Sequence, residues 1–129
     1  MKKQNYKIIS GVFLIALLIL SACSSRTEYS QASPKKAVEY AIHLLENKKP
    51  DILIHKLASP KLLKGRSQQS IARLIESFKK RKAAKLLSAL KSIDFNDTLK
   101  KTDALVVYKT NNKRPVSFIK VDKKWYIGN

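Results

Sequence analysis

The chain has 129 residues, with 27 Lys and Arg against 9 Asp and Glu, a formal net charge of +18. One cysteine excludes a disulfide framework, and three glycines, at 11, 65 and 128, leave no phosphate-binding glycine loop. So strong a positive balance speaks to partners and solubility, not to fold.

The first residues set an export pattern. Lys2, Lys3 and Lys7 make a positive start without acids, and a nearly unbroken apolar run follows from Ile8 to Leu20. That run is short for a bilayer span, which takes about 20 residues, but suits the apolar region of a signal peptide. Leu20-Ser21-Ala22-Cys23 then resembles the lipobox of bacterial prolipoproteins. The resemblance implies removal of residues 1–22 and lipidation of Cys23, by a thioether diacylglycerol and an amide-linked chain such as palmitate. Two or more acyl chains anchor stably where one does not. Cys23 would then be unable to serve a disulfide, a metal or a nucleophile. The implied location is the cell envelope. In a Gram-negative cell, Ser24 after the cysteine resembles the pattern of outer-membrane lipoproteins facing the periplasm. In a Gram-positive cell the site is the outer face of the plasma membrane.

The remaining 107 residues carry 24 basic and 9 acidic side chains, enough chain for one domain. Residues 24–33 are polar and aperiodic, so 23–33 is expected to be a lipidated flexible tether and 34–129 a single domain. Ten such residues span about 18 Å on average and at most about 35 Å.

Ser33-Pro34 is a helix start, with serine as cap and proline in the first turn. Val38, Ala41, Ile42 and Leu45 follow at helical spacing, with Leu44 widening the face, until Asn47-Lys48-Lys49-Pro50. Asp51 is expected to cap a shorter apolar segment, Ile52 to Leu57. Residues 58–66, with Pro60 and Gly65, read as a loop or a frayed turn. Ser67 starts a third helix, with Ile71, Leu74, Ile75 and Phe78 on one face. Lys79, Lys80, Arg81 and Lys82 lie in its last turn, where the helix dipole favours cations, and Lys85 follows. These five form the candidate basic binding patch.

The stretch Leu86 to Phe95 is ambiguous between helix and strand; as a strand, Leu87, Ala89, Lys91, Ile93 and Phe95 share a face. Ala104 to Tyr108 is a strand, Asn111-Asn112-Lys113 a hairpin turn, Val116 to Val121 the returning strand and Trp125-Tyr126-Ile127 a last short one. The expected fold class is α+β, with N-terminal helices packed on a curved antiparallel sheet formed by the C-terminal half. Trp125 is expected to pack on the helix of Ile71, Leu74, Ile75 and Phe78.

An opening Ser-Pro-x-x-Ala helix, two further helices and hairpins ending Phe118-Ile119-Lys120-Val121-Asp122-Lys123-Lys124-Trp125-Tyr126-Ile127 resemble small bacterial lipoproteins of the nuclear transport factor 2-like, cystatin-like superfamily. The resemblance covers roughly residues 33–128 and implies a cone-shaped cavity under the sheet. Relatives often carry glycine where this chain has Lys123. Function does not follow from such a fold.

An isomerase or cyclase of that superfamily needs a cavity carboxylate. Asp51 reads as a cap, and Asp97, Asp103 and Asp122 fall in expected turns; Glu39 and Asp94 lie in regular elements. His43 and His55 lack the spacing and companions of a zinc site. No catalytic constellation, metal or cofactor is expected. Trp125, Tyr126, Tyr108 and Phe118 read as core more than as a ligand platform. The expected function is a non-enzymatic, membrane-anchored basic binding or structural module. Its expected partners are the membrane, through the lipid, and anionic lipid or cell-wall polymer. Basic clusters without interleaved aromatics disfavour nucleic acid. One alternative is an immunity or inhibitor lipoprotein with a toxin or hydrolase as protein partner. The other is a cone-fold isomerase or cyclase, with Asp94 as base.

Overall fold

The computed structural model describes residues 28–128. The expected signal peptide, Cys23 and the first tether residues lie outside them. Five helices come first: α1 (Pro34–Glu46), α2 (Pro50–Leu57), α3 (Pro60–Leu63), α4 (Gln68–Arg81) and α5 (Ala83–Lys91). Four strands follow: β1 (Thr98–Lys101), β2 (Leu105–Tyr108), β3 (Val116–Val121) and β4 (Lys124–Ile127). They form one antiparallel sheet in the order β1-β2-β3-β4. The fold is α+β, helices then sheet.

The helix starts obey local chemistry. Ser33 Oγ accepts a hydrogen bond from the Lys36 amide at 3.2 Å, and Pro34 opens α1. Ser67 Oγ accepts from the Ser70 amide at 3.1 Å to open α4. Ala37, Val38, Ala41, Leu44 and Leu45 are the buried face of α1, while Ile42 lies half-buried at its margin. α1 ends at Asn47, and Lys48 follows at φ 55°. Asp51 does not cap α2: Lys49 occupies that position without a side-chain bond, and Asp51 lies one residue inside the helix. Its carboxylate still faces the positive end of the helix dipole, where an acid is favoured. Of the two readings open for 58–66, the turn is formed: it is the single turn α3, opened by Pro60, which is pre-set for a first helical position. Gly65 then turns the chain at φ +75°.

The ambiguous stretch is helical as far as Lys91 and leaves regular structure after it. Between Ala83 and Lys91 every residue but Ser88 is a strong helix former, and no β-branched residue intervenes. Ala89 and Leu90 are buried, with Leu86 and Ile93 beside them at helical spacing. The alternating strand face is therefore not formed, and Lys91 is exposed, paired with Glu46 at 3.2 Å.

Residues Thr98–Lys101 form a strand that the pattern did not announce. Two lysines and one leucine carry little β propensity. β1 exists because β2 has an edge to pair, and it is irregular, with a register shift between Thr98 and Lys100. The expected β2–β3 hairpin is present, pairing Val106 with Phe118 and Tyr108 with Val116. Val121 and Lys124 flank the two-residue turn Asp122-Lys123, with φ 49° and 67°. This is a type I′ geometry, whose twist matches the strands it joins.

One face of the sheet turns Val106, Tyr108, Val116, Phe118, Trp125 and Ile127 into the core. The aromatic set divides: Trp125, Tyr108 and Phe118 are core, and Tyr126 is half-buried on the other face. Trp125 lies on a strand that packs mainly on helices other than the one expected, although Phe78 of that helix shares its core. β4 lies against α1 and α2, whereas α4 packs on α2 and α5. Any amphipathic helix can satisfy an apolar sheet, so periodicity could not select which one does.

Two stability changes follow. Trp125 is 6 % exposed, so Trp125→Ala costs about 3–5 kcal/mol in denaturant titration followed by circular dichroism. In the unaltered chain, emission from this single tryptophan lies to the blue and moves red on unfolding. Lys123→Gly acts oppositely. Relief of a left-handed residue, about 1–2 kcal/mol, exceeds the added unfolded-state freedom of about 0.5–1 kcal/mol. The melting temperature rises; an unchanged or lower value would contradict strain at that turn.

Candidate functional site

The five candidate cations are brought together where α4 meets α5. Lys79, Lys80 and Arg81 occupy the last turn of α4, and Lys82 ends that helix and begins the next, its amide bonded to the Phe78 carbonyl at 2.9 Å. Lys85 lies in the first turn of α5. All five are exposed. Phe78, 9 % exposed, ties this elbow to the core. Among the described residues the ion pair is Lys91–Glu46, so none of the five has a carboxylate at pairing distance.

The helix dipoles separate the five into two groups. Lys79, Lys80 and Arg81 stand at a negative helix end, where cations are favoured without any ligand. Lys82 and Lys85 stand at the positive end of α5, whose first turn holds no acid and whose cap gives no side-chain bond. There the dipole opposes them. An external anion at the elbow would offset the unfavourable placement of Lys82 and Lys85, which no carboxylate among the described residues does.

Beside the elbow, Ala84, Leu87, Ser88, Lys91, Ser92 and Asn111 line an open depression of about 520 Å³. Its polar groups bind one another. Asn111 Nδ2 donates to Ser88 Oγ at 3.1 Å, and the Asn111 amide donates to Ser92 Oγ at 2.9 Å. The depression is thus the joint that fastens the β2–β3 loop to α5.

The remaining candidates are scattered. Asp94 is exposed in the turn after α5, its carboxylate accepting from the Asn96 amide at 3.0 Å. It is not in the regular element expected for it, because α5 stops at Lys91. Glu39 is exposed on α1 and His55 on α2. His43 is half-buried, stacked on Tyr29 at 4.1 Å between ring centroids, with Nδ1 3.2 Å from Asn47 Nδ2. Among the described residues, no three His, Cys, Asp or Glu side chains are grouped to hold a metal. No helix among them is long and apolar enough to cross a membrane.

One residue was missed altogether. Gln31 donates through Nε2 to the carbonyls of Lys56 and Trp125, at 2.9 and 3.0 Å, while its own carbonyl accepts from the Trp125 amide at 2.9 Å. Tyr29 also stacks on Tyr40, at 5.8 Å. The stretch expected to be a free tether is therefore docked from Tyr29 onward. Nothing in its polar, aperiodic sequence signals these contacts, which depend on the edge of β4 being near.

Among the described ionisable groups, Tyr108 has a clear displacement: burial pushes its phenol above the usual 10.0. The native state holds the proton to higher pH than the unfolded chain does. Its contribution is complete below about pH 10 and is lost as pH rises through the folded value. Tyr108→Phe removes that share of the alkaline loss, read as a smaller drop in denaturation midpoint between about pH 9 and about pH 11. An equal drop in both proteins would assign the loss elsewhere. Comparisons with known proteins supply no identity: no family model, no curated protein and no solved structure matches this chain.

Proposed function

We propose that this chain is a membrane-anchored lipoprotein of the bacterial envelope, acting as a non-enzymatic basic binding module. Acylated Cys23 holds it to the membrane, and the elbow of Lys79, Lys80, Arg81, Lys82 and Lys85 meets phosphate-bearing anions of the lipid or cell-wall surface. The observation that carries this reading is the elbow itself. Five exposed cations stand together without a carboxylate partner, two of them against a helix dipole. Support for the anchor is the lipobox-like Leu20-Ser21-Ala22-Cys23 after an apolar run. We propose further that the domain is a small relative of the nuclear transport factor 2-like superfamily. Helices followed by a meander that ends in Lys-Trp-Tyr-Ile support that reading.

Flotation with phosphatidylglycerol vesicles tests the electrostatic part, using the chain from Ser24 onward so that no lipid contributes. Binding falls steeply between about 0.1 and about 1 M salt, as the Debye length shrinks from about 10 to about 3 Å. Each lysine or arginine near an anionic surface contributes about 1 kcal/mol, so changing all five cations to glutamine lowers partitioning by roughly three to four orders of magnitude. Binding indifferent to salt, or unchanged by the substitutions, would refute the role of the elbow.

A further inference from the structure

The face of the sheet turned away from the helices is apolar and stands outside the core cluster. Register sets its side chains in rows: Lys100, Val107 and Ser117; then Leu105, Ile119 and Tyr126; then Val121 and Lys124. All five aliphatic and aromatic residues in these rows are half-buried. Leu99, 57 % exposed, lies at the irregular edge beside them. No acidic residue occupies a position on this face; Asp103 and Asp122 sit in the turns at one end of the sheet.

This composition selects among occupants. A second copy of the same face would press Lys100 and Lys124 against a surface without a carboxylate, burying cations unpaired, which is costly. An anionic bilayer offers an apolar interior and negative headgroups together. Tyr126 suits that boundary, with an apolar ring and a polar tip. The chain's path adds a second argument. Gln31 is bonded to Trp125 at the edge of this sheet, and just before it Tyr29 stacks on Tyr40 and His43 of α1. Six steps along the chain separate Tyr29 from Cys23, a reach of at most about 21 Å, so an anchored Cys23 keeps the domain close to the bilayer.

We propose that the outer sheet face docks on the anionic bilayer that holds the lipid. Leu105, Val107, Ile119, Val121 and Tyr126 meet the interface, and Lys100 and Lys124 lie at the level of the phosphates. The proposal rests on the lipoprotein reading above and adds an orientation to it. The elbow cations, on helices that pack away from β4, are a separate surface.

Cys23 is the only cysteine, and acylation consumes its thiol, so one introduced cysteine gives a unique label. The full chain, matured in a bacterial host, is made as Val107→Cys, Ile119→Cys and, for comparison, Lys80→Cys. Each is nitroxide-labelled and reconstituted into phosphatidylcholine vesicles with and without phosphatidylglycerol. Intact mass first reports acylation. With anionic lipid, the labels at 107 and 119 gain access to oxygen and lose access to a water-soluble nickel chelate, while the label at 80, on a cation that meets phosphates and not the apolar interior, gains no oxygen access. Two replaced positions guard against one of them disturbing the sheet. An acylated chain whose labels at 107 and 119 stay in water overturns the docking. Labels shielded from both reagents also overturn it, in favour of a protein occupant. A mass without acyl chains overturns the anchor on which the proposal rests.

Discussion

Phe118 is the contact on which this small domain turns. Its side chain is fully buried, flanked in register by Val106 and Ile127 and met edge-on by Tyr108 at 6.0 Å. Phe95 closes on Tyr108 in turn at 5.4 Å, linking the chain after α5 to the sheet. Strands of four to six residues with one apolar face do not persist in water by themselves. They persist here because α1 and α2 cover that face at β4. The same burial gives the helices a surface to pack on, so neither layer is stable without the other.

The sheet's two edges are treated differently. β4 is closed by the backbone: Gln31 bonds to Trp125, and Ala58 bridges Ile127 in parallel. Both partners come from segments without regular structure of their own, and both are held by what they join. At the other edge, β1 is short, irregular in register and carries Lys100 and Lys101. Lysines and irregularity are the usual means of discouraging further strand pairing. The edge nearest the N-terminal segment is thus closed, and the sheet's outer face is left as its open apolar surface.

Charge is excluded from the interior as completely as apolar groups are gathered there. Among the described residues no charged side chain is buried, and the buried residues that carry a polar group are the aromatics Tyr108 and Trp125. Lysine stems lie along the surface with their ammonium groups in water, so the positive balance does not burden the core. Part of it gathers at the elbow, where consecutive helices concentrate cations with no carboxylate at pairing distance among the described residues.

What the sequence determined by itself was local and periodic. Ser33-Pro34 and Ser67 specify helix starts because a side-chain oxygen three residues before a free amide is a local bond. The alternation of Val106, Tyr108, Val116 and Phe118 specifies strands because a pleated chain has period two. The candidate cations could be named because they are nearly consecutive. Tertiary structure decided everything that joins distant segments. Leu86 to Lys91 became helix rather than strand once Ala89 and Leu90 had a core to enter on a helical face. Thr98–Lys101 became a strand because β2 offered an unpaired edge. β4, with Trp125, went to α1 and α2, since any of several apolar faces could have received it. Gln31, an unremarked polar residue in a polar stretch, gained its partners only when β4 and the end of α2 came together. Periodicity encodes which face of an element is buried, and it carries no information about what lies opposite.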